Sequence, residues 1–261
     1  MFCPNKVAGC CPVALGQVLT FIQRPSEINI TFNSSNERLA LDWADISKHT
    51  ISDNFGASIP PSYILSGHYI NCEASENAHR AIGLLIRQLG HRMKADYLSG
   101  ATAVSYNNFY NTTRSVLMHN PVTEETNMSN LYGDACKSNV VIEIVGRNKN
   151  ADAQGVHVQH AWVIDGAFCT ETKVYYVTGK GIPAILTYTE VKTWNDRYIH
   201  NNWGWCGYKN GYFLEGVYDL SRNPVTPPNS SEKPPIIYYP SPSRESEYDY
   251  AALSYIRIIK N

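Results

Sequence analysis

Near residue 139 the texture of the chain changes, and no other feature restricts its fold as much. Ahead of that point the apolar residues recur at helical spacing. In residues 12–22 Ala14, Val18 and Phe21 share one side, and Pro12 stands in a first turn, where its missing N–H costs nothing; this predicts a buried helix starting near Cys10 and Cys11. In residues 75–90 Ser75 is a ready cap, Ala78, Ile82, Leu85 and Leu89 keep a period of 3.6, and Gly90 stands where a helix would stop. Residues 104–119 are a weaker helical stretch, diluted by Asn and Thr. Beyond residue 139 the runs are β-branched and aromatic: Val140–Val145, Ala161–Ile164, Val174–Val177, Ile185–Tyr188, Tyr212–Leu214 and Ala252–Ile259, punctuated by Gly, Asn, Asp and Pro. Residues 221–249 hold half of the prolines and predict a long surface connection, with gating of a cleft as the sharper alternative. The expectation is an α+β chain forming one domain over 1–261, with a helical lobe over about 1–138 facing a lobe of antiparallel sheet over about 139–261. Clefts between lobes are where ligands bind.

Charge removes several function classes. Twenty-two Lys and Arg against 23 Asp and Glu supply no field to gather nucleic acid or anionic lipid. No apolar run approaches the roughly 18–20 residues that span a bilayer, and residues 1–9 lack the pattern of an export signal. Met1-Phe2-Cys3-Pro4 leads almost directly into the most informative stretch, which predicts a processed or shortened chain. Seven cysteines are an odd count, and Cys10 and Cys11 are adjacent, a poor geometry for bonding to each other. At least one thiol is therefore free or bridged to another molecule.

A thiol at a helix start meets unpaired N–H groups and the positive end of the macrodipole, which favour the nucleophilic thiolate. Both Cys10 and Cys11 stand there, with burial as inert core thiols the plainer alternative. The second half supplies partners: His160 opens His-Ala-Trp-Val-Ile-Asp-Gly166, and His200-Asn-Asn202-Trp203-Gly-Trp205-Cys-Gly follows. A Cys–His hydrolase needs a base that takes the thiol proton, an amide oxygen that holds the base's other ring N–H, and an indole that shields that bond. The order Cys, His, Asn fits. His157-Val-Gln-His160 invites a metal reading, but residues three apart on a strand face opposite ways, so no metal and no cofactor are expected.

These blocks, with Gly9-Cys10-Cys11-Pro-Val-Ala-Leu-Gly-Gln17-Val18 at their head, resemble the streptopain family, bacterial relatives of papain. The likeness extends through Leu41-Asp-Trp43, Ala81–Gly90, Met93-Lys-Ala-Asp-Tyr97 and Asn210-Gly-Tyr-Phe213, and with Gly216-Val-Tyr-Asp219 it is closest to Bacteroides-type members. The family's cysteine lies seven positions before a glutamine, which selects Cys10 over Cys11. The resemblance implies a papain-like, secreted or cell-envelope bacterial cysteine endopeptidase in mature form. Cys10 would be the nucleophile, His160 the base, Asn202 the residue orienting its ring and Trp203 the cover on that contact, while Trp205 and Gln159 would contact substrate. Its partners would be protein or peptide substrates and an inhibitory propeptide or cognate inhibitor. Alternatives are a silent homologue that binds peptides, and an amidase or acyltransferase using the same triad. The chain departs from the family pattern at Gln159, where glycine is usual, at Cys206, and in about two dozen extra residues between His160 and Asn202, which predict an extended hairpin. Pro4 occupies the place of papain's oxyanion glutamine.

Overall fold

The computed structural model describes residues 8–32, 35–50, 75–98, 101–149, 159–180, 185–204, 210–219, 224–225 and 249–260. Helix α1 runs over Cys10–Ile22 and buries Ala14, Leu15, Val18, Leu19 and Ile22, four of them four residues or one turn apart along one stripe. A hairpin follows, β1 over Glu27–Phe32 paired with β2 over Ser35–Ala40, and then helix α2 over Trp43–Thr50. Helix α3 covers Glu76–Arg92 and is capped as its sequence predicts, Ser75 Oγ accepting from the N–H of Ala78 at 3.2 Å. Its end differs from the expectation. The helix passes Gly90, and the chain turns instead at Lys94, whose φ of 53° lets Ala95 N–H reach back to the Gly90 carbonyl at 2.9 Å. Strands β3 over Asp96–Leu98 and β4 over Ala101–Ala103 form a second small hairpin, and helix α4 occupies Tyr106–Val116 behind a Ser105 cap.

The remaining elements build one antiparallel sheet. Strand β5 covers Val122–Glu125, helix α5 Leu131–Ala135, β6 Val140–Asn148, β7 Gln159–Lys180, β8 Ile185–Asn202, β9 Gly211–Leu214, β10 Tyr218–Asp219 and β11 Asp249–Ile259. Among the described residues the order across the sheet is β10, β11, β6, β7, β8, β9, with β5 pairing farther along β11, at Tyr255–Ile258, on the side where β10 pairs with its start. The extra residues after His160 are an extended ribbon: β7 and β8 stay paired from Val163↔Asn202 to Lys180↔Ile185. The chain is thus α+β, but its first half also holds two hairpins that helical periodicity did not announce. Ile28 and Ile30 alternate there and are buried, a two-residue period too short to stand out from its polar neighbours.

Two cores lie on the two faces of the sheet. Val141, Val145, Ala161, Val163, Ile256 and Ile258 pack with α1, α3 and the β1–β2 hairpin. The alternate residues Ile142, Ile144, Trp162, Ile164 and Tyr255 pack with Leu131, Ile199, Trp203 and Phe213 on the other face. Burial on both faces explains why β6 reads as a continuous apolar run rather than an alternating one. Residues 226–248 lie outside the described residues.

Candidate active site

The site begins at the head of α1. Gly9 precedes the helix with φ 88°, a conformation open to glycine, so the chain enters the first turn abruptly and sets Cys10 at its first position. No side chain caps this end and no acidic residue shares its first turn, so its N–H groups and the positive end of the helix are left to the thiol. Helix α1 packs across β6 and β7, which brings its first turn to the start of β7.

Cys10 and Cys11 are chemically split. The Cys10 thiol is held well below its ordinary range, first by a hydrogen bond from Cys11; burial opposes the shift, while the His160 hydrogen bond and charge and the Ala161 N–H add to it. Cys11 is pushed well above the ordinary range by that same bond to Cys10, by burial, by the negative charge on Cys10 and by Glu143. The surroundings favour the thiolate at Cys10 and disfavour it at Cys11.

Glu143 of β6 adds a buried acid beside Cys11 that no motif in the sequence announces. Its signal was available, since it is the one acid in the apolar run Val140–Val145. It is fully buried, Thr113 Oγ1 of α4 donates to its Oε2 at 2.9 Å, and desolvation pushes its carboxyl up to about 8.

His160, second residue of β7, pairs with Gly146 of β6 and is buried. Its ring lies among those of Tyr250, Trp162 and Trp203, with centroids at 5.6, 5.9 and 6.3 Å. Trp162 is fixed in turn by donating Nε1–H to Asn201 Oδ1 at 2.8 Å, and Asn201 is wholly buried. Nε2 of His160 lies 3.1 Å from the Trp203 carbonyl. Asn202 is the adjacent residue, and its Oδ1 accepts from Gln17 Nε2 at 2.8 Å, Asn210 Nδ2 at 3.0 Å and the Gly204 N–H at 3.3 Å. The Trp203 indole is wholly buried and meets Phe213 edge-on, centroids 5.9 Å apart.

The fold therefore brings Cys10, His160, Asn202 and Trp203 together from α1, β7 and the end of β8. Gln159 is exposed at the mouth of β7, opposite Arg147. Trp205, Cys206 and His157 lie outside the described residues. Asp165-Gly166, which reads in sequence as a turn, is a bulge inside β7, where the register shifts between Ile164 and Gly166. The bulge turns the Asp165 carboxylate toward His200 Nδ1, to which it is bonded, and the His200 ring also meets Tyr212 edge-on at 4.9 Å.

The family model described as the peptidase C10 family matches residues 2–213. The chain belongs to the peptidase C10 family. This is the streptopain family, and membership supports a cysteine-type peptidase acting on protein substrates. No curated protein matches the sequence. Among the described residues of this C10 chain no helix is long and apolar enough to cross a membrane. The matched span contains Cys10, His160, Asn202 and Trp203.

Proposed function

We propose that the chain is a papain-like, two-lobed cysteine endopeptidase, secreted by a bacterium, that cleaves proteins through an acyl-enzyme. The observation that carries this reading is a sulfur at the head of α1, held well below its ordinary range and hydrogen-bonded by the His160 ring. In the first step the Cys10 thiolate adds to the scissile carbonyl carbon, and the carbonyl electron pair moves to oxygen. The Cys10 backbone N–H, at a helix start that no side chain caps, would stabilise that oxyanion. His160 gives its proton to the departing amine as the C–N bond breaks, leaving a thioester on Cys10. It then takes a proton from water, whose oxygen attacks the thioester and releases the acid.

The Trp203 carbonyl at Nε2 keeps the other edge of the imidazole on the sulfur, with Asn202 securing that turn and the Trp203 indole keeping water from it. Gln159 and Trp205 are assigned to substrate, and the site would be closed before use by an inhibitory propeptide or a cognate inhibitor. An epoxide thiol probe with peptide mapping and a casein digest test the reading together. Labelling at Cys10 with casein cleavage is expected. Labelling without cleavage points to an amidase or acyltransferase, and an unlabelled Cys10 overturns the catalytic reading in favour of a peptide-binding homologue.

A further inference from the structure

We propose that Gln17 and Asn210 are positioning residues that register the base against the nucleophile, by clamping the turn Asn202–Gly204 onto the helix that carries Cys10. The inference rests on the peptidase reading of Cys10 and His160. Seven residues are two helical turns with a drift of about 20°, so Cys10 and Gln17 lie on one stripe of α1, roughly 10 Å apart along its axis. The upper end of the stripe meets His160 and the lower end meets Asn202, to which Gln17 Nε2 donates at 2.8 Å.

Asn210, just ahead of β9, holds the same turn from the side in two ways. Its Nδ2 donates to Asn202 Oδ1 at 3.0 Å, and its Oδ1 accepts the Trp203 N–H at 3.0 Å. The carbonyl of that same Trp203 faces His160 Nε2 at 3.1 Å, so both amides act on the ring through one peptide-length of chain. Gly204 completes the contact, for at φ 76° it lies against α1 so closely that a Cβ would stand 2.9 Å from Val13 Cγ1.

Gln17 also carries a cost that packing alone would not select. Its Oε1 is buried with no donor among the described residues, which an apolar side chain of the same size would avoid. The amide is retained for what Nε2 does. Both clamps are neutral, so they fix the turn without adding a charge beside the imidazole. One rigid helix thus sets the sulfur directly and the ring indirectly, which keeps their separation constant when the surrounding loops move.

The test uses Gln17→Leu and Asn210→Ala, with Gln17→Met and Asn210→Ser as replacements should either fail to fold. It measures kcat and KM on fluorogenic casein, and the rate of Cys10 alkylation by iodoacetamide across pH. Each variant is expected to lose about 10- to 100-fold in kcat with KM within about twofold of wild type. The alkylation profile should move toward higher pH, a change that mere loss of stability would not produce. Retained kcat with an unmoved profile, or a loss carried by KM alone, overturns the clamp while leaving the peptidase reading intact. A wild-type chain that neither cleaves casein nor shows alkylation of Cys10 faster than a free thiol overturns both.

Discussion

Cys10 and Cys11 are covalently identical neighbours in one turn of helix, and they differ because the tertiary structure surrounds them differently. Cys10 receives hydrogen bonds from Cys11, the His160 ring and the Ala161 N–H, whereas Cys11 donates to the Cys10 sulfur and faces the buried Glu143. Replacing Cys10 with Ala should abolish peptide hydrolysis, a loss of about 10⁵-fold or more, and His160→Ala should fall as far. Because the two act as one unit, the double variant should be no worse than either single one; additive losses would show that they work separately. Cys11→Ala should keep most of the activity yet raise the pH at which Cys10 becomes reactive, since it deletes the largest of the bonds that hold that thiol down. An unmoved alkylation profile in Cys11→Ala would remove Cys11 from the account of the thiolate.

At the level of elements, β6 carries an acid in an otherwise apolar run. Glu143 sits wholly buried between β7 and β11, with Val163 and Ile256 opposite it and Thr113 as donor. Its folded carboxyl titrates at about 8 against an ordinary 4.5, so the folded state binds the extra proton between those values. The stability it gives relative to an ionised acid is therefore complete below about pH 4.5, declines as pH rises, and is gone above about 8. Glu143→Gln should remove this slope. Measured by denaturant unfolding, the variant should gain on wild type steadily between those limits, reaching on the order of a few kcal/mol at the alkaline end. Parallel stability curves for the two proteins would mean that Glu143 is solvated or paired.

For the whole molecule, one buried carboxylate ties distant parts of the chain together. Asp134 of α5 accepts from Tyr255 Oη of β11 at 3.0 Å and pairs with Lys137 at 2.6 Å and Arg257 at 3.5 Å. Burial raises this carboxyl, but Lys137, Tyr255 and Arg257 together outweigh it and hold the group below its ordinary range. Its contribution is present above the ordinary carboxylate range and is lost as pH falls through its lowered value. Asp134→Ala should cost about 1–3 kcal/mol in global unfolding at neutral pH, chiefly by leaving the Tyr255 hydroxyl buried and unpaired. The penalty should shrink in acid. A loss confined to local fraying of α5, seen by hydrogen exchange, would show that the contact is not shared with the sheet.

Much of this was open to reading from the residues alone. A 3.6-residue period marked α1 and α3, Ser75 marked a cap and α4 showed only weakly through its Asn and Thr, because helices are held by contacts within a few residues. The β-branched runs marked β6, β7, β8, β9 and β11 of the large sheet for the same local reason, and the resemblance to the family's Cys-to-Gln spacing pointed to Cys10 rather than Cys11. What the sequence could not disclose depends on groups far apart in it. The bulge that swings Asp165 onto His200 requires the register of two strands, and the burial of Glu143 requires α4 to close over β6. The three donors on Asn202 come from α1, from the turn and from the approach to β9, up to 185 residues away. Local periodicity determined which elements form and where a nucleophile can sit, since propensity and pattern are properties of neighbours along the chain. Only the packed structure decided what surrounds each of the two sulfurs, because hydrogen bonds, burial and field at an atom are set by whatever the fold brings within a few ångströms of it.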